Sequence, residues 1–254
     1  MITTAIFGLV FVSVLPQIVV VYTSFLRTNG PVFADGFSLG SYQAIFLKLG
    51  TNIRNTFVFS SIAMVFIVLL GIIVAYMMVR RPSRSSGLLD IFVMFPYVVP
   101  AAINGIAFLL VFNRAPFFFA GTSFILIVAY IVRKMPFTVR SSSAILQQIE
   151  PSLEDASINL GVPPVKTFFT VTARLMLPGI VSGAILSWIA TINELGASIM
   201  LYTGQTSTIA VAIYTEVVRN NLGSAAALAS ILTLATIASF VIFSIISKGK
   251  VSVV

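Results

Sequence analysis

One carboxylate stands inside an apolar stretch of this sequence and could serve chemistry there. Glu194 follows Asn193 in a segment that runs from Leu175 to about Tyr202 and is otherwise uncharged. An ionisable residue in such a stretch is costly to bury and marks a functional site by default. Glu194 and Asn193 therefore either line a path or gate for a ligand, or anchor neighbouring helices, and the sequence leaves both interpretations open.

Two further polar or small-residue patterns lie in apolar segments. Asn104 stands beside Gly105 and four residues after Pro100, which makes it a weaker path candidate or a hydrogen-bonding contact between helices. Gly179 and Gly183 have the G-x-x-x-G spacing that lets helices approach closely. We interpret these glycines as a packing seam, with the third predicted helix or with a partner subunit.

The segment from about residue 137 to 175 is more polar than its surroundings and contains Gly and Pro residues that end helices. Ser143 could cap a short helix, and Ser152 followed by an acid three residues later has the form of a capping box. Gly161 stands where a left-handed residue would end the second helix. Pro163-Pro164 should stop that helix before a third amphipathic stretch, whose apolar spacing is carried by Val165, Phe168, Phe169 and Thr172.

The absence of two residue types narrows the possible chemistry. The chain has no His and no Cys, so the commonest metal ligand, the commonest general base and any thiolate are missing. We therefore predict no catalytic residues, no metal site and no bound cofactor. An intramembrane enzyme is disfavoured for the same reason, since we find no paired carboxylates in the apolar segments.

The elements that must position these residues follow from the composition. Of the 254 residues, 58% are hydrophobic and 9% charged, and the mean hydropathy is +1.08, so lipid must surround most of the chain. We predict a single all-α membrane domain over residues 1–254. It should contain six transmembrane helices, each about 20 residues or longer. Their windows are Ile2–Leu26, Asn55–Val79, Ile91–Phe112, Ala115–Val132, Leu175–Asn193 and Asn220–Ser247.

The distribution of Lys and Arg predicts the orientation. With both termini in the cytoplasm, 10 of the 15 basic residues fall inside and 5 outside, as the positive-inside rule expects. This placement explains the net charge of +8 without nucleic acid. The inner set is Arg80, Arg81, Arg84, Arg133, Lys134, Arg140, Lys166, Arg174, Lys248 and Lys250, and the outer set is Arg27, Lys48, Arg54, Arg114 and Arg219.

The run from Leu153 to Gly161 resembles the E-A-A-x-x-x-G signature of permease subunits in binding-protein-dependent ABC importers. The acid of the signature corresponds to Asp155, its two alanines to Ala156 and Ser157, and its glycine to Gly161. The resemblance extends over residues 52–247. Two features depart from the pattern. Asp and Ser replace Glu and Ala, and Val171–Arg174 stands where the motif would end in Leu-Pro, so that Pro178 begins the fifth helix instead.

The resemblance implies a fold, a mechanism and partners. The fold would be that of a type I ABC importer permease, and the loop would form coupling helices in a groove of the ATP-binding subunit. Glu154, Asp155, Ala156, Ser157 and Gly161 would make that contact. The implied partners are two ATPase subunits that carry ATP and Mg, a second permease copy or paralogue, a substrate-binding protein and membrane lipid. The chain would lie in the bacterial inner membrane.

The resemblance also suggests a cargo. The segments Ala197–Tyr202 and Thr208–Tyr214 are similar to the ferric-iron branch, which includes thiamine permeases, and Asn193–Gly196 resembles a Gly-Glu-Phe-Gly-like stretch of the family. We expect iron(III), with thiamine, polyamine, phosphonate, sulfate or molybdate as alternatives. A secondary transporter, which would need several relay residues and usually inverted repeats, is a more distant alternative. An assembly subunit would have no reason to carry the signature.

Overall fold

A computed structural model describes residues 2–246 of the chain, which are mostly helical. Short hairpins follow the first and fifth helices. The helices are α1 Ile2–Ser24, α2 Gly40–Lys48, α3 Gly50–Arg80, α4 Arg84–Val98, α5 Ala101–Phe112, α6 Ser123–Gln148, α7 Ser152–Asn159, α8 Pro164–Thr167, α9 Ala173–Leu175, α10 Leu177–Ile192, α11 Ser198–Leu201, α12 Ile209–Val218 and α13 Leu222–Ile246. A π-helical turn, Phe168–Thr172, joins α8 to α9. The strands are β1 Leu26–Asn29, β2 Val32–Phe37, β3 Asn113–Arg114 and β4 Phe117–Phe118.

Three of the helices are long and apolar enough to cross a membrane by themselves. They are Ile6–Ser24, Gly50–Arg80 and Leu222–Ile245. Two bent pairs, α4 with α5 and Pro164–Leu175 with α10, would bring the number of spans in residues 2–246 to five. The all-α membrane fold is confirmed, whereas the count of six helices stays a prediction.

The fourth predicted window, Ala115–Val132, has the wrong bounds. Its first residues form the β3–β4 hairpin and a loop, and the helix begins only at Ser123. It then continues without interruption to Gln148, past Arg133 and Lys134, which the sequence assigns to the cytoplasmic side. Both cations can lie inside the helix because they are buried next to the carboxylate of Glu194.

The third predicted helix, Ile91–Phe112, is broken into two helices. Pro96 lies inside α4 and Pro100 precedes α5, and the two helices meet at 107°. A break of this kind leaves backbone carbonyls without helical partners. Asn104 restores two of these bonds, because its Nδ2 donates to the carbonyl oxygens of Pro96 (2.9 Å) and Val99 (3.1 Å).

The described chain divides into two compact units. One contains the chain up to Val58 together with Tyr202–Ala238, and the other contains Phe59–Leu201 together with the chain from Ser239 onward. Lys248 and Lys250, which we assigned to the cytoplasm, and Ser247 lie outside the described residues.

In the first unit, polar contacts fix the loops that flank the helices. The side-chain amide of Asn55 donates to the carbonyls of Gln205 (2.8 Å) and Ser207 (3.0 Å), and holds the segment before α12. Gly223 in α13 has no room for a side chain, because a Cβ there would lie 2.5 Å from the hydroxyl of Thr28 and 2.6 Å from that of Ser41. These contacts hold β1 and α2 against the start of α13.

In the second unit, α6 packs closely against α10. A Cβ on Gly179 would lie 2.6 Å from Ile145, and one on Gly183 would lie 2.7 Å from the Cα of Thr138. One turn further, the hydroxyls of Ser187 and Thr138 are hydrogen-bonded at 2.9 Å. The close contacts of Gly179 and Gly183 are thus with α6, in the part that the sequence assigned to the polar segment 137–175, rather than with the third predicted helix.

Candidate functional site

The loop between α6 and α10 contains a short exposed helix, α7, that ends on a left-handed glycine. Gly161 has a φ of +87°, and its N–H donates to the carbonyl of Ile158 at 2.8 Å. The N–H of Val162 donates to the carbonyl of Ser157 at 3.2 Å. This pair of bonds is the Schellman motif, so the predicted helix end at Gly161 is confirmed.

The two predicted N-terminal caps do not form. Ser143 lies in the middle of α6, which runs unbroken into the loop, and α7 follows Pro151 without a side-chain capping bond from Ser152. Proline at position 164 does not only stop α7. It also begins α8, because the first turn of a helix has no use for the missing N–H.

Glu154 points inward, although it lies on a short surface helix. Its carboxylate accepts hydrogen bonds from Arg80 Nε (2.8 Å) and from the Tyr76 hydroxyl (3.0 Å), both in the last turns of α3. The same arginine donates from Nη2 to the carbonyl of Ile149 at 2.8 Å, where α6 ends. The side chains of Arg80 and Glu154 are only 11% and 12% exposed. Arg80, Glu154 and Tyr76, here called the loop clamp, therefore fix α7 to the ends of α3 and α6.

The opposite face of α7 is open. Asp155 and Ala156 are exposed, together with apolar Leu153 and with Leu160, which is 86% exposed. Ser157 is half-buried, and its hydroxyl is hydrogen-bonded to that of Thr167 at 3.0 Å. Of the five residues expected to contact the ATP-binding subunit, Asp155, Ala156 and Gly161 are exposed. Glu154 and Ser157 are hydrogen-bonded within the chain.

The third helical stretch differs from the predicted single amphipathic face. Val165 and Phe169 are exposed, but Thr172 is fully buried, and Phe168 packs edge-on against Tyr76 with ring centroids 4.9 Å apart. The π-helical turn at 168–172 shifts the faces of the helix, which α-helical spacing alone could not anticipate.

Glu194 occupies a buried ionic cluster that also contains Lys134 and Arg133 of α6. The Glu194 carboxylate is ion-paired with the Lys134 ammonium, and its Oε1 lies 3.9 Å from Arg133 Nε. Oε1 also accepts the backbone N–H of Ala197 at 3.0 Å. All three charged residues are 8% exposed or less. One carboxylate thus neutralises one of two buried cations and joins the end of α10 to the middle of α6.

The cluster reaches the break between α4 and α5. Arg133 Nη1 lies 3.3 Å from the carbonyl oxygens of both Pro96 and Val99, the same two acceptors that Asn104 uses. Asn193, in contrast, is exposed and donates to the carbonyl of Ile189 at 2.8 Å. The structure therefore brings Glu194 and Asn104 into one network through Arg133.

Arg133 and Lys134 were missed as site residues by the sequence reading. The available signal was the helical pattern beyond Val132, which continues to Gln148 with buried residues on one face. If Arg133 and Lys134 are read as part of a membrane helix, they need a buried anion, and Glu194 is the carboxylate in the apolar segments that can supply it.

If α7 is the coupling helix that the resemblance implies, Gly161→Val should reduce substrate uptake while ATP hydrolysis continues. A β-branched residue at this positive φ costs about 1–2 kcal/mol in backbone strain, and it would shift α7 rather than clash, since no atom lies within 4 Å of a Cβ there. Uptake and ATPase activity are measured side by side in proteoliposomes. Gly161→Asn is the control, because Asn tolerates the left-handed region and should retain most uptake. Normal uptake by an assembled Gly161→Val protein would contradict the expectation.

Comparison with known proteins gives matches along most of the chain. The family model described as "Binding-protein-dependent transport system inner membrane component" matches residues 67–251. The chain is 28% identical over 222 residues to the ferric transport system permease protein FbpB of Actinobacillus pleuropneumoniae, which covers 87% of this chain and 31% of that protein. It therefore spans about a third of the length of this curated relative.

Other matches cover most of both proteins. The molybdenum transport system permease protein ModB of Escherichia coli K12 is 31% identical over 68% of this chain and 79% of its own length. The putative 2-aminoethylphosphonate permease PhnV of Salmonella paratyphi A is 26% identical over 88% and 84%. Among solved structures, a bacterial alginate ABC importer superposes with a TM-score of 0.70 at 18% identity over 95% of this chain and 90% of its own. The MetNI methionine transporter gives a TM-score of 0.68 at 19% identity over 82% and 98%.

Proposed function

This chain belongs to the family of binding-protein-dependent transport system inner membrane components, and we propose that it forms half of the membrane pathway of an ATP-driven importer. In this proposal the chain catalyses no reaction and binds no cofactor. ATP and Mg are held by two separate ATPase subunits. These contact the segment between α6 and α10, residues 149–176, which is here called the coupling loop. The substrate arrives on a binding protein outside the membrane.

The coupling loop is the observation that carries this proposal. A helix that transmits force must expose one face to its partner and be fixed on the other. α7 meets both requirements, since Asp155 and Ala156 are exposed while Glu154 is held by Arg80 and Tyr76. We assign docking to the exposed Asp155, Ala156 and Leu160 surface, and we assign Glu154 to positioning the helix.

The buried ionic cluster has a different role in the proposal. Glu194 has partners on α6 and in the turn before α11, so its carboxylate is occupied by groups of the chain itself. This geometry favours the anchor interpretation of Glu194 over path lining. Asn104 acts in the same network through the carbonyls at the α4–α5 break.

The proposed orientation keeps both termini in the cytoplasm. Without the buried pair Arg133 and Lys134, eight basic residues fall inside and five outside, so the bias keeps its sign. The coupling loop then lies in the cytoplasm, where ATP is available. Segments 27–54 and 203–222 lie outside.

We propose iron(III) as the cargo, and the ferric transport relatives support this choice. The chain spans 31% and 28% of those two relatives. In this proposal its membrane partner is a second copy of the chain or another permease. The alternatives with support are 2-aminoethylphosphonate and molybdenum, because permeases named for them match over most of their own length.

Purification of the tagged chain from its native membrane in mild detergent tests the proposal. We expect an ATPase and a substrate-binding protein to be recovered with it, and the native mass to distinguish a homodimer from a heterodimer. The ligand bound to the recovered binding protein identifies the cargo, and a molybdate- or phosphonate-loaded protein would overturn iron(III). If the chain is recovered alone, even after gentle crosslinking, the importer proposal fails and a secondary transporter becomes the better hypothesis.

A further inference from the structure

A polar pocket of about 420 Å³ lies in the first unit, between α2 and the segment that joins α12 to α13. Its polar lining comes from Lys48, Glu216, Arg219, Asn221 and Ser224. The contacts of Gly223 with Thr28 and Ser41 hold the start of α13 in place beside α2. The pocket is therefore built from packed elements and not from a loose loop.

The carboxylate in this pocket is already occupied. Glu216 is buried, and it accepts hydrogen bonds from Arg219 Nη1 (3.2 Å) and from Asn221 Nδ2 (2.9 Å). Arg219 is nevertheless 66% exposed, so other N–H groups of its guanidinium face solvent. Lys48 is exposed, and none of the ion pairs among residues 2–246 includes it. The rim thus presents two cations whose donors can serve an incoming anion.

The charge of the whole first unit has the same sign. Its described residues contain four basic side chains and two acidic ones, all in segments 27–54 and 216–219. The proposed orientation puts both segments outside the membrane. A partner that approaches this surface is attracted if it carries carboxylates.

We propose that the pocket receives an acidic side chain of the substrate-binding protein, with Lys48 and Arg219 as the groups that hold its carboxylate. This inference rests on the proposed function, which requires a binding protein on that side. The Lys48 ammonium and the Arg219 guanidinium give the site its positive charge. Buried Glu216 fixes the orientation of the Arg219 guanidinium through their hydrogen bond. An anionic lipid headgroup would offer a similar charge, and the test distinguishes it.

Charge reversal at Lys48 tests the pocket. The intact complex in nanodiscs is titrated with its purified binding protein, and the dissociation constant is measured at low and moderate KCl. Lys48→Glu is expected to raise the dissociation constant about tenfold or more and to weaken its dependence on salt, because a like charge then faces the partner's carboxylate.

Arg54→Glu is the matched control. It makes the same charge change at an exposed position of the same unit, but Arg54 does not line the pocket. We expect its effect to remain below about threefold, as is usual for a charge that only influences the rate of encounter. Mutating acidic residues of the binding protein to Lys should reveal one that restores binding to Lys48→Glu.

The possible outcomes separate the proposals. Equal effects of Lys48→Glu and Arg54→Glu, or no effect of either, would overturn the pocket while leaving the importer intact. The same holds if Lys48→Glu changes binding only in nanodiscs that contain anionic lipid. If the wild-type complex neither binds the protein nor hydrolyses ATP, the proposed function itself fails. Should Lys48→Glu not assemble, Lys48→Gln is compared with Arg54→Gln instead. About threefold weaker binding is expected for Lys48→Gln and no measurable change for Arg54→Gln, and equal effects would overturn the pocket.

Discussion

Replacing Glu194 by Gln is expected to lower the free energy of unfolding by about 3–5 kcal/mol, the usual cost of removing one partner from a buried ion pair. Lys134 and Arg133 would then remain buried side by side, each 8% exposed, with no anion to neutralise them. The measurement is thermal unfolding of the complex in detergent, followed by size-exclusion chromatography. We expect little or no correctly assembled protein at the growth temperature.

Two further variants separate an anchor from a path residue. Lys134→Met in the Glu194→Gln background removes one of the two buried cations that then lack an anion. This should recover part of the stability, and a double-mutant cycle gives the coupling energy between the two positions. Asn193→Ala, at the exposed neighbour, should change stability by no more than about 0.5 kcal/mol. A Glu194→Gln protein with wild-type stability but no transport would reverse our assignment and make Glu194 a residue of the path.

Reversing the charge of Arg80 is expected to uncouple transport from ATP hydrolysis. Glu154 would face a second carboxylate at the position of the Arg80 guanidinium, and the bond from Arg80 to the Ile149 carbonyl would be lost. A loss of about 1.4 kcal/mol from the loop clamp lowers the equilibrium constant for correct placement of α7 about tenfold. We therefore expect uptake to fall about tenfold or more. Uptake and ATPase activity are measured on the same proteoliposomes.

The reciprocal variant makes this test specific. Arg80→Glu combined with Glu154→Arg restores the pair with opposite polarity and should recover a substantial part of the uptake. Arg81→Glu is the control, since it makes the same charge reversal one residue beyond the end of α3, where Arg81 is exposed. If Arg81→Glu impairs uptake as strongly as Arg80→Glu, the cause is membrane topology or net charge and the loop clamp has no special role.

Local features of the coupling loop could be predicted from the sequence because local geometry decides them. Gly161 needed only its own left-handed φ and two short-range backbone bonds, and both are present. The direction of Glu154 could not be predicted in this way. Its partner Arg80 lies 74 positions earlier, and helical spacing does not indicate which charged residue of a loop meets a distant helix end.

The errors in the transmembrane segments have one physical origin. A window that stops at each charge assumes that charges face water, so it ends the fourth helix at Val132 and puts Arg133 and Lys134 outside the membrane on the cytoplasmic side. Ion pairing with Glu194 lets both cations lie inside α6. The β1–β2 hairpin was missed, although its two-residue loop, Gly30-Pro31, begins with the glycine that a type II′ turn needs, and Gly30 has a positive φ of 61°.

The π-helical turn at Phe168–Thr172 affects how this chain is compared with its relatives. Bonds from i to i+5 let a helix contain an extra residue without leaving backbone groups unpaired. The Leu-Pro pair that appeared to be missing after Val171 stands four positions later, where Leu177 and Pro178 begin α10. A relative whose helix lacks this turn would have one residue fewer between α8 and α10. Positions on its two sides must be aligned separately, because a single fixed spacing would assign the wrong residue throughout α10.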